Sequence, residues 1–200
     1  MAGDTLDNSW SGPVEGLSVQ RSLEALTCYG HYAEAAVIGR KWIDNLAKWQ
    51  RYVQQYNPMT GEPAPGEIGY GPTILSATEY MTYLWGVDFV NGDLVWGCAK
   101  DGADSEYTQK LFGHEYTLKR ENGTAFLYRD GVLLVTATCG VQLVTDLEGE
   151  VKNVVSLEAA PVEWKLTAGA LSLEANLLPN EKMTILDGVL VLEKKAPCAL

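Results

Sequence analysis

The stretch YVQQYNPMTGEPAPGEIGYGP, residues 52–72, separates two helical patterns and thereby decides the organisation of the chain. Pro58, Pro63, Pro65 and four glycines lie between the patterns, and proline removes backbone donors while glycine permits positive φ. The stretch therefore cannot continue a helix. One interpretation is a plain solvent loop. The other is a functional loop, as long ordered loops often are, and it is favoured by Tyr56, Tyr70 and the acidic pair Glu62 and Glu67.

Apolar residues at helical spacing predict a hairpin of two helices before this loop and a third helix after it. The first helix is predicted over residues 13–29, because Pro13 suits the first helical position and Gly30 suits a stop. The second is predicted over residues 31–54 and the third over residues 73–85, with Gly86 ending it. The first 88 residues are thus predicted to be helical.

From about Val87 the apolar period changes from that of a helix to that of a strand. Asn-Gly at 122–123 and Asp-Gly at 130–131 and 187–188 separate alternating runs, which is the strongest local signal for tight hairpins. Closely spaced turns without helices indicate an antiparallel sandwich or barrel. We expect an α+β chain, with a partial α/α-barrel-like helical part over residues 1–88 and an antiparallel β-sandwich over residues 89–200.

The predicted helices carry wide aromatic stripes that three helices cannot cover alone. Either the helices pack on the β part, or another chain covers them, or the chain is the tail of something larger. The apolar surface is larger than two antiparallel partners can bury, because it includes Trp42, Trp49 and Trp85. The pattern therefore predicts a homo-oligomer or a partner chain.

The composition excludes several classes of function. A formal net charge of −11 argues against nucleic acid and against anionic membrane surfaces. Neither a membrane-spanning run nor a leader segment is visible, so we expect a cytoplasmic protein. Four scattered cysteines and two distant histidines lack the spacing of metal ligands, which predicts reduced thiols and no metal. No motif indicates another cofactor or a nucleophile paired with a histidine.

Three stretches resemble known elements of (α/α)6-barrel glycoside hydrolases of the trehalase and mannosylglycerate-hydrolase-like group. The segment 10–14, WSGPV, with Tyr29-Gly30 after it, is similar to the family's Trp-x-Gly-Pro-Val and Tyr-Gly elements. The segment 54–62, QQYNPMTGE, resembles the Glu-x-Tyr-Asn/Asp-Pro-x-Thr-Gly element. The segment 68–73, IGYGPT, is similar to the Phe-Gly-Trp-Ser/Thr element that opens the next inner helix. The resemblance covers residues 8–86, and the rest only by architecture.

The resemblance implies a carbohydrate site. Trp10, Tyr56 and Tyr70 would be the rings that stack on a sugar, with packing at helix ends as the alternative for each. Gln54 and Asn57 would supply hydrogen bonds beside them.

The same resemblance implies that catalysis is impaired. Enzymes of this family hydrolyse glycosides with two carboxylates, an acid and a base, with a water between them. The acid comes from an earlier helix with no counterpart here, and Gln54 stands at the base position, where an amide cannot accept a proton. Glu15, Glu62 and Glu67 are the nearby carboxylates that could substitute, against ordinary surface or capping roles.

Three hypotheses follow. The chain is a fragment or truncated relative of such a hydrolase, inactive alone. Alternatively, it is a non-catalytic carbohydrate-binding or assembly module, or it is a subunit that completes a barrel with another chain.

Overall fold

The computed structural model describes residues 12–66, 68–100 and 103–198. In these residues a helical part precedes a β-sandwich, as predicted. The helical part consists of β1 (Val14–Glu15), α1 (Gly16–Cys28), α2 (Tyr32–Trp49), β2 (Gln55–Tyr56) and α3 (Gly71–Trp85). The sandwich consists of β3 (Val87–Val90), β4 (Asp93–Cys98), β5 (Ser105–Leu111), β6 (His114–Glu121), β7 (Thr124–Arg129), β8 (Val132–Thr138), β9 (Val141–Thr145), β10 (Val151–Ser156), β11 (Val162–Ala168), β12 (Leu171–Leu177), β13 (Glu181–Leu186) and β14 (Val189–Lys195).

The sandwich strands form two six-stranded sheets, and every pairing is antiparallel. The first sheet has the order β14-β13-β10-β9-β4-β3, and the second has the order β12-β11-β8-β7-β6-β5. Alternate residues of both sheets are buried in one core, which includes Trp96 and Leu143 from the first and Leu127 and Trp164 from the second. The prediction of a sandwich is therefore confirmed, and the two sheets face each other across this core.

The predicted hairpin turns are also confirmed. Asn122, Asp130 and Asp187 each have a φ of 50° at the first turn position, and a glycine with positive φ follows each of them. Positive φ at both central residues is the geometry of the two-residue turn that matches the twist of the flanking strands. Two further hairpins use Asn91-Gly92 and Phe112-Gly113 in the same way.

The helices pack on the outer face of the first sheet, which was one of the three alternatives. The end of α3 bonds to β4 through Gly97 N–H to the Gly86 carbonyl at 2.9 Å, and Ala99 N–H to the Leu84 carbonyl at 3.0 Å. Leu157 packs with Leu84 in a small buried cluster at the same junction.

A second contact joins α2 to the loop between β12 and β13. The Asn180 Oδ1 atom accepts the Ala33 backbone N–H at 2.7 Å, and its Nδ2 atom donates to Glu34 Oε2 at 2.8 Å. Asn180 is fully buried, so this polar contact holds the start of α2 against the sandwich.

Several predicted boundaries are wrong. The helix predicted from residue 13 begins at Gly16, because Val14 and Glu15 pair with Tyr56 and Gln55 instead. The helix predicted to residue 54 ends at Trp49, where Gln50 takes a left-handed conformation. The third helix begins two residues earlier, at Gly71. No described helix is both long enough and apolar enough to cross a membrane.

The three tryptophans that were expected to need a partner are covered at least in part within the chain, and the prediction of a homo-oligomer or partner chain stays a prediction. Trp42 is buried and donates from Nε1 to Ser76 Oγ at 2.9 Å. Trp85 packs at the junction with the sandwich, under the Arg120 guanidinium. Trp49 is half-buried beneath the Lys48 ammonium. Large apolar side chains that remain exposed include those on the outer side of α3 and on β14.

Candidate functional site

The structure brings the second and third family-like stretches together at one end of the helical part, with Val14 of the first stretch beside them. Strand β1 pairs with β2, so Val14 lies opposite Tyr56 and Glu15 opposite Gln55. The Gly16 N–H donates to the Gln54 carbonyl at 3.1 Å and extends this ribbon. The first two stretches, separated by some forty residues in sequence, are therefore hydrogen-bonded neighbours.

The third stretch joins them through the start of α3. Thr73 is fully buried, and its Oγ1 donates to the Val53 carbonyl at 2.7 Å. The backbone N–H groups of Gly69 and Tyr70 both donate to the Tyr52 carbonyl, at 2.7 and 2.9 Å. Gly16 packs so closely on Thr73 that a Cβ atom at Gly16 would overlap the threonine side chain. This contact requires glycine at the start of α1.

A concave pocket of about 470 Å³ lies between these segments. Its wall includes Gln54 and Gln55 from the ribbon, Pro65 and Ile68 from the loop, and Tyr70 at the start of α3. Pro65 and Ile68 are exposed, so the pocket opens to solvent on the loop side. The described wall is therefore contributed by two glutamines, a tyrosine, glycines and small apolar residues.

Gln54 and Tyr70 are the predicted binding residues that the structure places in this wall. Both are half-buried. The Gln54 backbone carbonyl is used by the ribbon, and the residue also lines the pocket. The Tyr70 backbone fixes the start of α3, which sets the position of its ring at the pocket edge.

Tyr56 takes a different place from the predicted one. It is only 1% exposed, and its ring meets Trp42 edge to face at 5.0 Å between centroids. Its hydroxyl donates to the Arg51 carbonyl at 2.6 Å and accepts the Val53 N–H at 3.1 Å. Burial raises the pKa of this phenol. Tyr56 is therefore a core residue that fixes the loop, and its ring has no open face for a sugar.

Asn57 shapes a turn. Its Oδ1 accepts the backbone N–H groups of Met59 and Thr60 at 2.8 and 3.1 Å. This is the local bonding that makes asparagine favourable in turns. Asn57 is exposed and is not part of the pocket wall, so its amide orders the loop from outside.

The two candidate carboxylates that the structure describes, Glu15 and Glu62, are not brought together in the pocket. Glu15 is 8% exposed and accepts a hydrogen bond from Gln55 Nε2 at 3.0 Å, which ties it to the ribbon. Glu62 is exposed in the turn that Asn57 orders. Glu67 and Trp10 lie outside the described residues.

Two residues of the site were missed at the sequence level. Gln55 lines the pocket and holds Glu15, yet it stands at the variable position of the family-like element. Thr73 was taken only as the end of the third stretch, and its role depends on a bond to a residue twenty positions earlier. The glycine that faces Thr73, Gly16, was the one signal in the sequence for this close contact.

Other candidate chemistry is weak. Cys98 and Cys139 are buried in the sandwich, and burial raises the pKa of Cys139 to about 11, which disfavours the reactive thiolate. His114 contacts Asp130 at 2.7 Å on the surface of the sandwich, far in the chain from the pocket. Among the described residues, no cluster of three or more His, Cys, Asp or Glu side chains could hold a metal ion.

Comparison of the chain with protein-family models, with curated proteins and with solved structures gave no match. The family resemblance therefore depends on the three stretches themselves.

Proposed function

We propose that this chain is a relative of (α/α)6-barrel glycoside hydrolases that binds a carbohydrate in the pocket between residues 53 and 71 and does not hydrolyse it alone. The observation that supports the proposal is that the second and third family-like stretches line one pocket, while Val14 of the first stretch pairs with Tyr56 of the second. Nothing in their separate sequences requires them to meet, since the first and second lie some forty residues apart.

The composition of the pocket supports a sugar ligand. Amides at Gln54 and Gln55 both donate and accept, as hydroxyl recognition requires, and the Tyr70 ring offers an apolar face for sugar C–H groups. Its volume of about 470 Å³ lies within the range of roughly 300–1,000 Å³ that is typical of small-molecule sites.

Among the described residues, the pocket wall contains no carboxylate that could serve as the acid or the base of hydrolysis. The described wall carries amides where two carboxylates would be required. Glu15 is the nearest buried carboxylate along the ribbon, and Gln55 already engages it. General acid–base assistance contributes about 10²–10⁴-fold for one positioned group, so its loss removes most turnover.

Binding is tested by calorimetry or NMR titration with trehalose, maltose and mannosylglycerate. We expect one of these sugars to bind, and Tyr70→Ala to weaken its binding by about tenfold, which is the loss of one stacking contact. Tyr29→Ala is the matched control, since Tyr29 is exposed on the helical part away from the pocket. Equal binding by wild type and Tyr70→Ala would contradict this site.

Activity is tested with the chain as it stands and with Gln54→Glu. We expect neither to hydrolyse α-glucosides, trehalose or mannosylglycerate, because restoring one carboxylate leaves the acid missing. A gain of turnover is expected only for Gln54→Glu mixed with a second chain that carries the earlier helices. Turnover by the unmodified chain would refute the proposal.

An assembly subunit is the second candidate, and the outer side of α3 favours it. Ile74, Leu75 and Met81 are about half-exposed on this helix, and Glu79 is its single charged residue. A helix built this way resembles one packed on further helices. Leu75→Lys is expected to abolish binding of a chain that supplies those helices, whereas Lys41→Glu on the charged side of α2 should not.

A further inference from the structure

A second groove lies between the helices and the outer face of the first sheet, and its volume is about 770 Å³. One wall is a face of α1, the other is the second half of α3, and the floor is formed by β3, β4 and β9. No described residue lines both this groove and the carbohydrate pocket. The two cavities can therefore be tested separately.

The floor of the groove contains a buried amide without a partner. Gln142 lies on β9 between Gly97 of β4 and Val155 of β10, and its neighbours in sequence, Val141 and Leu143, point into the sandwich core. The Gln142 side chain therefore points to the outer face of the sheet, into the groove. The residue is only 9% exposed, and no described residue forms a hydrogen bond with its side-chain amide. Such an amide costs folding free energy until a polar group pairs with it.

The walls of the groove carry more negative than positive charge. Glu24 on α1, Glu79 on α3 and Asp88 on β3 contribute three carboxylates, against one guanidinium from Arg21, which leaves a formal charge of −2. Gln20 Nε2 donates to Glu79 Oε1 at 2.7 Å, while no described basic side chain pairs with Glu24 or Asp88. The whole chain has a formal charge of −11, so both the local and the overall charge attract a cation.

The strand register sets the distance between the buried amide and one of these carboxylates. Asp88 lies opposite Val95, Val95 lies opposite Val144, and Gln142 is two residues before Val144 on the same face. With strands about 4.8 Å apart and a rise of about 3.4 Å per residue, the Cα atoms of Asp88 and Gln142 are about 12 Å apart. Val95 lies between them on the groove floor and offers apolar surface.

We propose that this groove binds a small organic cation in which a short apolar chain joins an ammonium group to an amide or hydroxyl group. The ammonium group pairs with Asp88, the apolar chain lies over Val95, and the amide or hydroxyl group pairs with the Gln142 amide. Four methylene groups separate such polar ends by about 7 Å, and two hydrogen bonds of about 2.9 Å complete the distance of about 12 Å.

The probe is 5-aminopentanamide, which has an ammonium group and an amide at the ends of such a chain. It is titrated into the isotope-labelled whole chain, and NMR follows the side-chain amide signals of Gln142. Hexanamide carries a methyl group in place of the ammonium group, and pentylamine has no amide. We expect the probe to bind and to shift the Gln142 signals, and each matched compound to bind about tenfold more weakly. Failure of the probe to bind, or equal binding by either matched compound, overturns the proposal.

A fourth compound separates a cation from a zwitterion. In 5-aminopentanoate a carboxylate replaces the amide, so the ligand has no net charge and its anionic end meets a negatively charged groove. We expect it to bind more weakly than 5-aminopentanamide. Binding tighter than that of the amide would mean that Arg21 selects a zwitterion, and it would overturn the assignment of a cation.

Substitutions locate the binding in the groove. Asp88→Asn should weaken binding of 5-aminopentanamide by about tenfold, because the hydrogen bond to the ammonium group loses its charged acceptor. Glu106→Gln is the matched control, since Glu106 is exposed on β5 of the other sheet, and it should leave binding unchanged. Tyr70→Ala, in the carbohydrate pocket, should also leave it unchanged. Equal binding by wild type and Asp88→Asn overturns the placement of the ammonium group.

Gln142→Leu separates a binding role from a structural one. The change replaces the unpaired amide with an apolar side chain of similar size between Gly97 and Val155. We expect binding of 5-aminopentanamide to be lost while the midpoint of urea unfolding rises, because a buried polar group without a partner has been removed. A Gln142→Leu chain that binds the probe as wild type does overturns the site. One that unfolds at lower urea than wild type also overturns it, because the amide would then have a partner within the fold.

Discussion

The sandwich and the helical part are held together in different ways. The sandwich has one large apolar core between two sheets, and its hairpins close on two-residue turns whose conformation is encoded locally. The helical part has a smaller core around Trp42 and Tyr80, and buried polar bonds connect its segments. One of its faces packs against the outer surface of the first sheet. The sandwich should therefore be stable by itself, while the helical part depends on it.

The largest expected effect is that of Trp96→Ala in the sandwich core. Trp96 is fully buried, and its Nε1 donates to Thr145 Oγ1 at 3.0 Å. Loss of such a side chain costs about 3–5 kcal/mol of unfolding free energy. Because β4 also binds the end of α3, we expect both parts to lose hydrogen-exchange protection together.

Trp42→Ala is the matched change in the helical part. Trp42 is also buried, yet its contacts stay within that part. We expect the helices to lose protection while the sandwich strands keep theirs. Helices that stay protected in Trp96→Ala, or a sandwich that opens in Trp42→Ala, would reverse the proposed dependence.

The second prediction concerns the contact between the two parts. Asn180→Ala leaves the buried Ala33 N–H without its acceptor and removes a donor from Glu34, which should cost about 2–3 kcal/mol in urea unfolding. We also expect the helical transition to move to lower urea while the sandwich transition stays.

Asn180 has a φ of 62°, so part of the cost of alanine is backbone strain. Asn180→Gly removes the same hydrogen bonds without that strain and should be the less destabilised variant. A single transition shifted as a whole in both variants would show that the two parts unfold as one unit.

The third prediction concerns the motif end of the helical part. Thr73→Val keeps the shape of the side chain but removes its bond to the Val53 carbonyl, at a cost of about 1–2 kcal/mol. Thr78→Val is the control on the same helix, because Thr78 is exposed and its hydroxyl donates only to the preceding turn. We expect a clear shift in thermal unfolding for the first variant and almost none for the second.

The two parts also differ in how much of their structure could be predicted. Asn122-Gly123 and the two Asp-Gly turns are local signals, and the structure contains each of them. The boundaries that were wrong depend on distant residues. Val14 and Glu15 are extended because β2 pairs with them. Gln50 ends α2 in a conformation that glycine or asparagine would have signalled.

The candidate site shows the same limit. Gln54 and Tyr70 were identified from the motif and lie in the pocket wall. Tyr56 belongs to the same motif, but it packs on Trp42 in the core. Sequence alone does not distinguish an aromatic ring that binds a ligand from one that positions a loop, because both uses require the same residue type. The contact with the Trp42 ring shows that Tyr56 positions the loop, and Trp42 lies in α2, outside the motif.

The smallest expected effect concerns acid unfolding at one end of the sandwich. The Glu115 N–H and the His114 ring hydrogen-bond the Asp130 carboxylate and lower its pKa below the usual 3.8. Because the folded state favours the charged form, the stabilisation is present above about pH 4 and is lost as the pH falls through the lowered folded-state pKa. Asp130→Asn removes this contribution, so it should be slightly less stable than wild type at pH 7.

The difference between the two proteins should then shrink as the pH falls from about 4 toward the lowered pKa, because the wild-type carboxylate becomes protonated. Asp187→Asn is the matched control, since Asp187 precedes glycine in the same kind of turn with the same φ of 50°. Urea unfolding at a series of pH values decides the question. A gap between Asp130→Asn and wild type that is constant from pH 7 to pH 3 would mean that the turn, and not the charge, carries the contribution. In that case the sandwich end would depend on backbone geometry alone, as its other tight turns do.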